Sequence, residues 1–309
     1  ARRQRQMCIR DRHTIEYNAN TLSNYTAKTS VFPFVMSGGT LKNVKVNINQ
    51  CNIEAYCSDA DNIHPEGYVS LLINSVTNGS TIDAVQFKTN VNISIGGDHF
   101  WGLNISAFNC GSRSIIKNSS ASINYNLTDN TDIEDIITKI KNDGEKYPDL
   151  GLFQFGQATS SSNCTFTSCY SNGIYGNNLI RLAEEWNKAD IPDNRAGIIA
   201  QFMGAKGKVS ASKLFKLTNC YYDEKRAPQL YAICDSVALQ KTYQKFDKET
   251  YGRTTEQMKQ QSTYEGFDFD KKWSISSDVN EGYPYYNPKL EEVVLKARPC
   301  LLYTSPSPR

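Results

Sequence analysis

The residue types best suited to proton transfer meet at Gly96-Gly97-Asp98-His99. There Asp98 would orient His99 as a general base. The plainer reading is a polar turn between two strands, and it is the one adopted. Three aspartates, Asp83, Asp98 and Asp129, fall near the ends of successive candidate strands. Gathered on one face, paired carboxylates would serve glycoside hydrolysis or hold calcium. No calcium-loop spacing supports the second use, and solvated turn carboxylates are the default expectation. His13 and His64 are scattered, with His13 beside the N-terminal segment discussed below. No G-x-S-x-G, H-E-x-x-H, Walker A or G-x-G-x-x-G motif occurs. The sequence therefore assigns no catalytic, cofactor-binding or metal-ligating residue, and predicts a chain that is not an enzyme and needs no cofactor.

Cysteine and tyrosine are the other chemistry-bearing types. Of nine cysteines, seven lie in the interior: Cys51, Cys57, Cys110, Cys164, Cys169, Cys220 and Cys234. They form no C-x-x-C pair and no Cys/His cluster, so no zinc signature is present. Buried small apolar residues are expected, with one or two bridges as the alternative. Among the 18 tyrosines the densest groups are Tyr221-Tyr222 and Tyr283, Tyr285 and Tyr286. Such rings suit sugar platforms, because they offer apolar area with a polar handle. The preferred expectation is strand stacking and packing. Seven N-x-S/T sequons (Asn24, Asn78, Asn92, Asn104, Asn118, Asn126 and Asn163) follow from a composition rich in Asn, Ser and Thr.

The elements that would position these residues come as repeats. Five segments share an apolar opening, a small or Gly-rich turn, and alternating β residues closing near Asn or Cys. They run Val31 to Tyr56, Tyr68 to Ile95, Phe100 to Leu127, Leu150 to Tyr170, and Ala196 to Tyr221. Period-two alternation, as in Thr40 to Ile48, argues for strands with one buried face. Short strands recurring every ~25–30 residues argue for a β-solenoid, in which neighbouring rungs complete a core that no rung builds alone. An all-β sandwich is the competing architecture.

Two helical insertions interrupt the rungs. Ile133, Ile136, Ile137 and Ile140 lie at helical spacing within Asp132 to Lys141, with Gly144 as a stop. Leu179, Leu182, Ala183 and Trp186 share one face of Asn178 to Ala189, ended by Pro192. Both apolar faces are expected on the solenoid flank. After Tyr222 the texture changes. Thr254 and Gln257 form a capping box opening a short helix. Phe267-Asp268-Phe269 alternates toward Trp273-Ser274-Ile275 as a strand, and Gly282-Tyr283-Pro284 is a turn. Terminal repeats of solenoids need a polar-faced cap, and this block is the candidate.

The two ends read differently from the interior. Met7 to Arg12 back-translates to ATG TGT ATA AGA GAC AG, whose shifted reverse complement encodes Cys300 to Ser305. The shared DNA word resembles the transposon end of tagmentation adapters. On this reading residues 1–12 and 300–309 are adapter, the chain is a metagenomic fragment, and the Arg-rich start is not a nucleic-acid arm. Without these ends 28 basic and 31 acidic side chains remain, a net charge near −3 in place of +2. No field is left to attract nucleic acid. No apolar run approaches the ~18 residues of a membrane span.

One resemblance rests on the later part of the chain. Its residues are Asn219-Cys220-Tyr221-Tyr222-Asp223, Gly252 to Lys259, Tyr264 to Phe269, Trp273-Ser274-Ile275 and Gly282-Tyr283-Pro284-Tyr285. Their order and spacing resemble the closing segment of GLUG-repeat bacterial surface proteins. The upstream rungs, as at Gly197-Ile198-Ile199, look like degenerate repeats of that type. The resemblance implies an all-β, right-handed parallel β-helix with two short helical insertions and a mixed C-terminal cap. It divides the chain into rungs over 13–222 and a closing region over 223–299. It implies an extracellular or cell-surface location and an adhesin-like, structural role, with a host surface or glycan as partner. It carries over no catalytic residue. The alternatives are a carbohydrate-active β-helix enzyme, lyase or hydrolase, and a tail-fibre-like solenoid, which would be a trimer.

Overall fold

The computed structural model describes residues 14–18, 29–30, 35–57, 67–97, 103–129, 131–142, 150–158, 163–188, 198–200, 203–205, 215–226, 233–235 and 248–287. Its strands alternate between two curled parallel sheets, A and B. Strand β1 (Thr14–Asn18) lies in A, and β2 (Thr29–Ser30) and β3 (Val35–Ser37) in B. The long β4 (Thr40–Cys57) returns to A, β5 (Gly67–Thr77) to B and β6 (Thr81–Gly97) to A. Next come β7 (Leu103–Cys110) in B, then β8 (Ile115–Lys117) and β9 (Ser120–Leu127) in A. After helix α1 (Ile133–Asn142), β10 (Leu150–Phe153) and β11 (Gly156–Ala158) rejoin B. Strands β12 (Cys164–Thr167) and β13 (Tyr170–Ser171) extend A, ahead of helix α2 (Asn177–Lys188). The pattern repeats with β14 (Ile198–Ala200) and β15 (Met203–Ala205) in B, and β16 (Phe215–Thr218) and β17 (Tyr221–Asp223) in A. Beyond Tyr222 the pairing continues with β18 (Ile233–Asp235) in B and β19 (Gly252–Arg253) in A.

Every pairing described within these two sheets is parallel, and it links each strand to strands one rung away. A sandwich of hairpin-connected strands would pair antiparallel neighbours instead. The chain is thus all-β in its body, with the helices confined to short insertions. The register is tight. Val85, Phe87, Val91 and Ile93 of β6 sit in the same inward columns as Val44, Val46, Cys51 and Ile53 of β4. The fully buried Tyr125 of β9 continues the Val91 column and donates its hydroxyl to Phe153 O, at 2.8 Å, across the core. One apolar core runs between the sheets along the stack.

A corner in sheet A shows how the repeat is built. Asn43, Ala84, Asn118, Ser168 and Asn219 occupy one column, and each has φ between 48 and 58°. Asn tolerates this left-handed region better than most residues, whereas Ala and Ser do so at some cost. The kink turns the strand, so that Ile82, Ile116 and Phe166 before it and Val85, Ser119 and Cys169 after it all face the core.

The helices follow sheet A strands in successive rungs and pack on each other. Ile133, Ile136 and Ile137 of α1 and Leu179 and Leu182 of α2 are buried in the main core, as their spacing predicts. Outside, the Arg181 guanidinium holds both Glu134 oxygens at 2.5 and 3.1 Å, and Lys141 pairs with Glu185 at 3.1 Å. The Ile140, Ala183 and Trp186 side chains, Gly144 and Pro192 lie outside the described residues.

The residues after β19 form a compact unit of turns. Thr254 caps the helix Thr255–Met258, and the capping box with Gln257 is complete. The expected strand through Phe267 is corrected. Lys272 N and Trp273 N both bond back to Asp268 O, so Phe267 to Phe269 enter a turn. Only β20 (Trp273–Ser274) is extended, paired antiparallel with β21 (Tyr285–Tyr286). A second apolar cluster of Tyr170, Tyr221, Met258, Tyr264, Phe267, Trp273 and Tyr283 holds this unit together.

Candidate functional site: the outer face of sheet A

The unit over 255–287 lies along the outer face of sheet A, and its bonds reach strands of several rungs. Gln86 of β6 accepts from Tyr286 N at 2.8 Å. Tyr170 of β13 donates to Pro284 O, and Asn280 Nδ2 donates to the same phenol at 3.0 Å. Ser168 Oγ donates to Gly266 O at 2.8 Å. Lys45 of β4 stands 5.4 Å over the Tyr285 ring, and Arg253 stands 5.0 Å over Tyr221. Tyr170 lies parallel to Tyr283 and tilts against Trp273 at 5.8 Å. Outward positions of a sheet are ordinarily polar. Here Tyr170 and Tyr221 are outward, and they are buried because the unit covers them.

At the centre of the seam is Asp223, the last residue of β17, with no solvent exposure. It accepts from Lys225 N at 2.9 Å, from Thr255 Oγ1 at 2.8 and 3.0 Å, and from the Tyr283 hydroxyl. Arg226 Nε is 3.8 Å away and donates to the Tyr283 oxygen at 3.0 Å. Its NH2 bonds Glu281 at 2.6 Å, and Lys88 bonds the other Glu281 oxygen at 2.9 Å. Arg226 and Lys88 together hold the Glu281 carboxyl at about 2, well below the usual carboxylate range. Burial pushes the Tyr170 and Tyr264 phenols up, and burial and then Asp223 push Tyr283 up. The shifted groups of the seam thus move away from neutral pH, which suits a fixed lock and not proton exchange. Of the five tyrosines singled out by the sequence, Tyr221, Tyr222, Tyr283 and Tyr286 are buried packing residues, and Tyr285 is half-buried.

Of the three aspartates considered for paired-carboxylate chemistry, the two among the described residues, Asp83 and Asp129, do not come together. Asp83 is 5% exposed, accepts from Asn118 Nδ2 at 2.7 Å, and pairs with Lys117 at 3.6 Å and Lys272 at 3.8 Å. Asp129 is exposed in the turn after β9. Continuing the β6–β9 register places it level with Ile95, twelve residues beyond Asp83. That is a strand contour of about 40 Å. Asp98, His99, His64 and His13 lie outside the described residues. Among the described residues no group of three His, Cys, Asp or Glu side chains converges as a metal ion requires. Five cysteines, Cys51, Cys110, Cys164, Cys169 and Cys220, are buried thiols in the core, as expected.

Past the seam, the same outer face is open and carries two asparagine ladders. In one, Asn124 Nδ2 donates to Asn90 Oδ1 at 2.9 Å, and Asn90 Nδ2 to Asn49 O at 3.0 Å. In the other, Asn92 Nδ2 donates to Asn52 Oδ1 at 3.1 Å, with Asn126 next in register. Each amide both donates and accepts, so the array is neutral and rich in both functions.

Of the residues that build the seam (Asp223, Arg226, Thr255, Asn280, Glu281 and Tyr283), only Tyr283 was singled out for chemistry by the sequence, and then as a sugar platform. Their signal was indirect: Asp223, Thr255 and Tyr283 belong to the motif runs quoted above for their order and spacing. Those runs meet here in space. Comparison with protein-family models, with curated proteins and with solved structures finds no match. Among the described residues no helix is long and apolar enough to cross a membrane.

Proposed function

We propose that the chain is a segment of a secreted or cell-surface protein built as a right-handed parallel β-helix. It resembles GLUG-repeat surface proteins and plays a structural, adhesive part. The observation that carries this reading is the in-register parallel ladder running from β4 through β6, β9, β13 and β17 to β19. Stacked rungs of this kind act as a stiff, quasi-one-dimensional spacer whose length grows with rung number. The 255–287 unit, locked across several rungs, staples the flank. Adhesion falls to the open asparagine ladders, whose uncharged donors and acceptors suit the hydroxyls of a neutral glycan on a host surface.

Binding of the full chain to a panel of immobilised neutral polysaccharides tests the adhesive part. The chain is expected to bind, and Asn90→Lys/Asn124→Lys is expected to abolish binding with an unchanged circular dichroism spectrum. A chain that binds none of them, or a double variant that binds as well as the parent, refutes the assignment. A crystal structure with left-handed or antiparallel rungs refutes the architecture.

A further inference from the structure

Four of the five buried thiols come in two pairs, and each pair joins successive rungs. Thr167 is opposite Thr218 and Tyr170 opposite Tyr221, so Cys169 faces Cys220 across one step of the ladder. Parallel neighbours lie about 4.8 Å apart, inside the roughly 4.4–6.8 Å Cα range of disulfides. Both side chains are buried in the core, where Cys169 Sγ lies 3.3 Å from Thr167 O and Cys220 Sγ 3.4 Å from Thr218 O, the carbonyls of one paired step. Cys110 closes β7 and Cys164 opens β12 one rung further on. Both are buried, Cys164 Sγ lies 3.4 Å from Gly111 O, beside Cys110, and each thiol shifts the other's pKa, Cys110 up and Cys164 down. Cys51 stands apart from both pairs, near Tyr125.

We propose that Cys110–Cys164 and Cys169–Cys220 are disulfide-forming sites that staple successive rungs when the chain folds in the presence of a small-molecule disulfide. The step is thiol–disulfide exchange. One protein thiolate attacks the oxidant and forms a mixed disulfide, and its partner then displaces the second small thiol. One protein S–S bond forms and one oxidant S–S bond breaks. The protein pair loses two electrons and two protons, which leave on the two small thiols. The buried position places closure before the core seals, as the rungs stack. Each bridge would tie segments more than fifty residues apart, where a cross-link restricts the unfolded chain most.

The test refolds the reduced full chain in oxidised glutathione and maps peptides without reduction. Trypsin is combined with chymotrypsin, which cuts after Phe166 and so separates Cys164 from Cys169. Two linked pairs are expected, 110 with 164 and 169 with 220, together with the mass loss of four hydrogens and a higher unfolding midpoint that reduction reverses. Cys164→Ser should lose the first link alone, and Cys220→Ser the second alone. If the four thiols remain fully alkylatable after denaturation, or link in other combinations, the proposal is overturned. That result leaves the surface-protein reading intact, because glycan binding by the reduced chain is scored separately.

Discussion

Replacing Asp223 by Ala should release the 255–287 unit from the sheet while the rungs stay stacked. The carboxylate is fully buried and receives hydrogen bonds from Lys225 N, Thr255 Oγ1 and Tyr283 OH. Hydrogen bonds to a charged group contribute about 1.5–3 kcal/mol each, and three of them set an upper bound that coupled partners will not reach. Removing one partner of a buried ionic network costs about 3–5 kcal/mol. Arg226 keeps Glu281, Tyr283 and Asn172 O as partners, so it is not stranded. A loss of about 4 kcal/mol follows, or close to a thousandfold in the opening equilibrium at about 1.4 kcal/mol per decade. Asp223→Asn keeps the shape and one acceptor, and should cost about 1–2 kcal/mol, the charge-assisted part. Hydrogen exchange read by mass spectrometry separates the seam from the ladder. In Asp223→Ala, peptides from 264–287 should lose close to three decades of protection, and peptides from 85–95 should lose none. Equal protection in variant and parent refutes the lock. Loss of protection throughout the ladder refutes its separateness from the rungs.

Three further outcomes follow from the packing. Gln154 does the work of a strand, accepting from Ile123 N at 2.7 Å and donating to Ile123 O at 2.8 Å. Gln154→Leu leaves both groups buried without partners and should cost about 2–4 kcal/mol in chemical denaturation. Gly173 makes room for that amide, since a Cβ there would stand 2.2 Å from Gln154 Nε2 and from Ile123 O. Gly173→Ala should therefore destabilise by about 2 kcal/mol or more, and less than additively when combined with Gln154→Leu, which relieves the clash with the amide but not the one with Ile123 O. Glu281 sits at about 2 when folded against an ordinary 4.5. A depressed carboxylate contributes stability above its ordinary value and loses it as pH falls from about 4.5 to about 2. The side chain is half exposed, so the contribution is below about 1 kcal/mol. Glu281→Gln should flatten the pH dependence of the unfolding midpoint in that window, lowering the midpoint slightly at neutral pH, where the carboxylate's contribution is fully present, and leaving it unchanged near pH 2.

Much of the local structure was legible in the residues. Alternation from Thr40 to Ile48 marks a strand, and the isoleucines from Ile133 mark a buried helix face. Thr254 and Gln257 mark a helix start. Each signal acts over a few residues, where backbone period and side-chain chemistry decide the outcome together. The strand proposed through Phe267 failed for a local reason too. Asp268 O collects two backbone donors and closes a turn, which outweighs a three-residue alternation.

The seam was not legible, because its members are distant in sequence. Asp223 finds Thr255 and Tyr283 at separations of 32 and 60 residues, and Gln154 finds Ile123 at 31. Nothing near Asp83 shows that Asn118 will donate to it and that Lys272, 189 residues on, will pair with it. The left-handed column makes the same point. Asn43, Asn118 and Asn219 hint at the corner, but Ala84 and Ser168 adopt it only because paired neighbours impose the register. The sequence by itself determined that the chain makes strands with one apolar face, two amphipathic helices and a polar composition without a charge field. These are properties of period and residue type. Only the tertiary structure decided which strands lie side by side, that outward tyrosines are buried, and that cysteines fifty residues apart meet. Contacts of that kind depend on the stacking register, in which each rung's neighbours come from other segments of the chain.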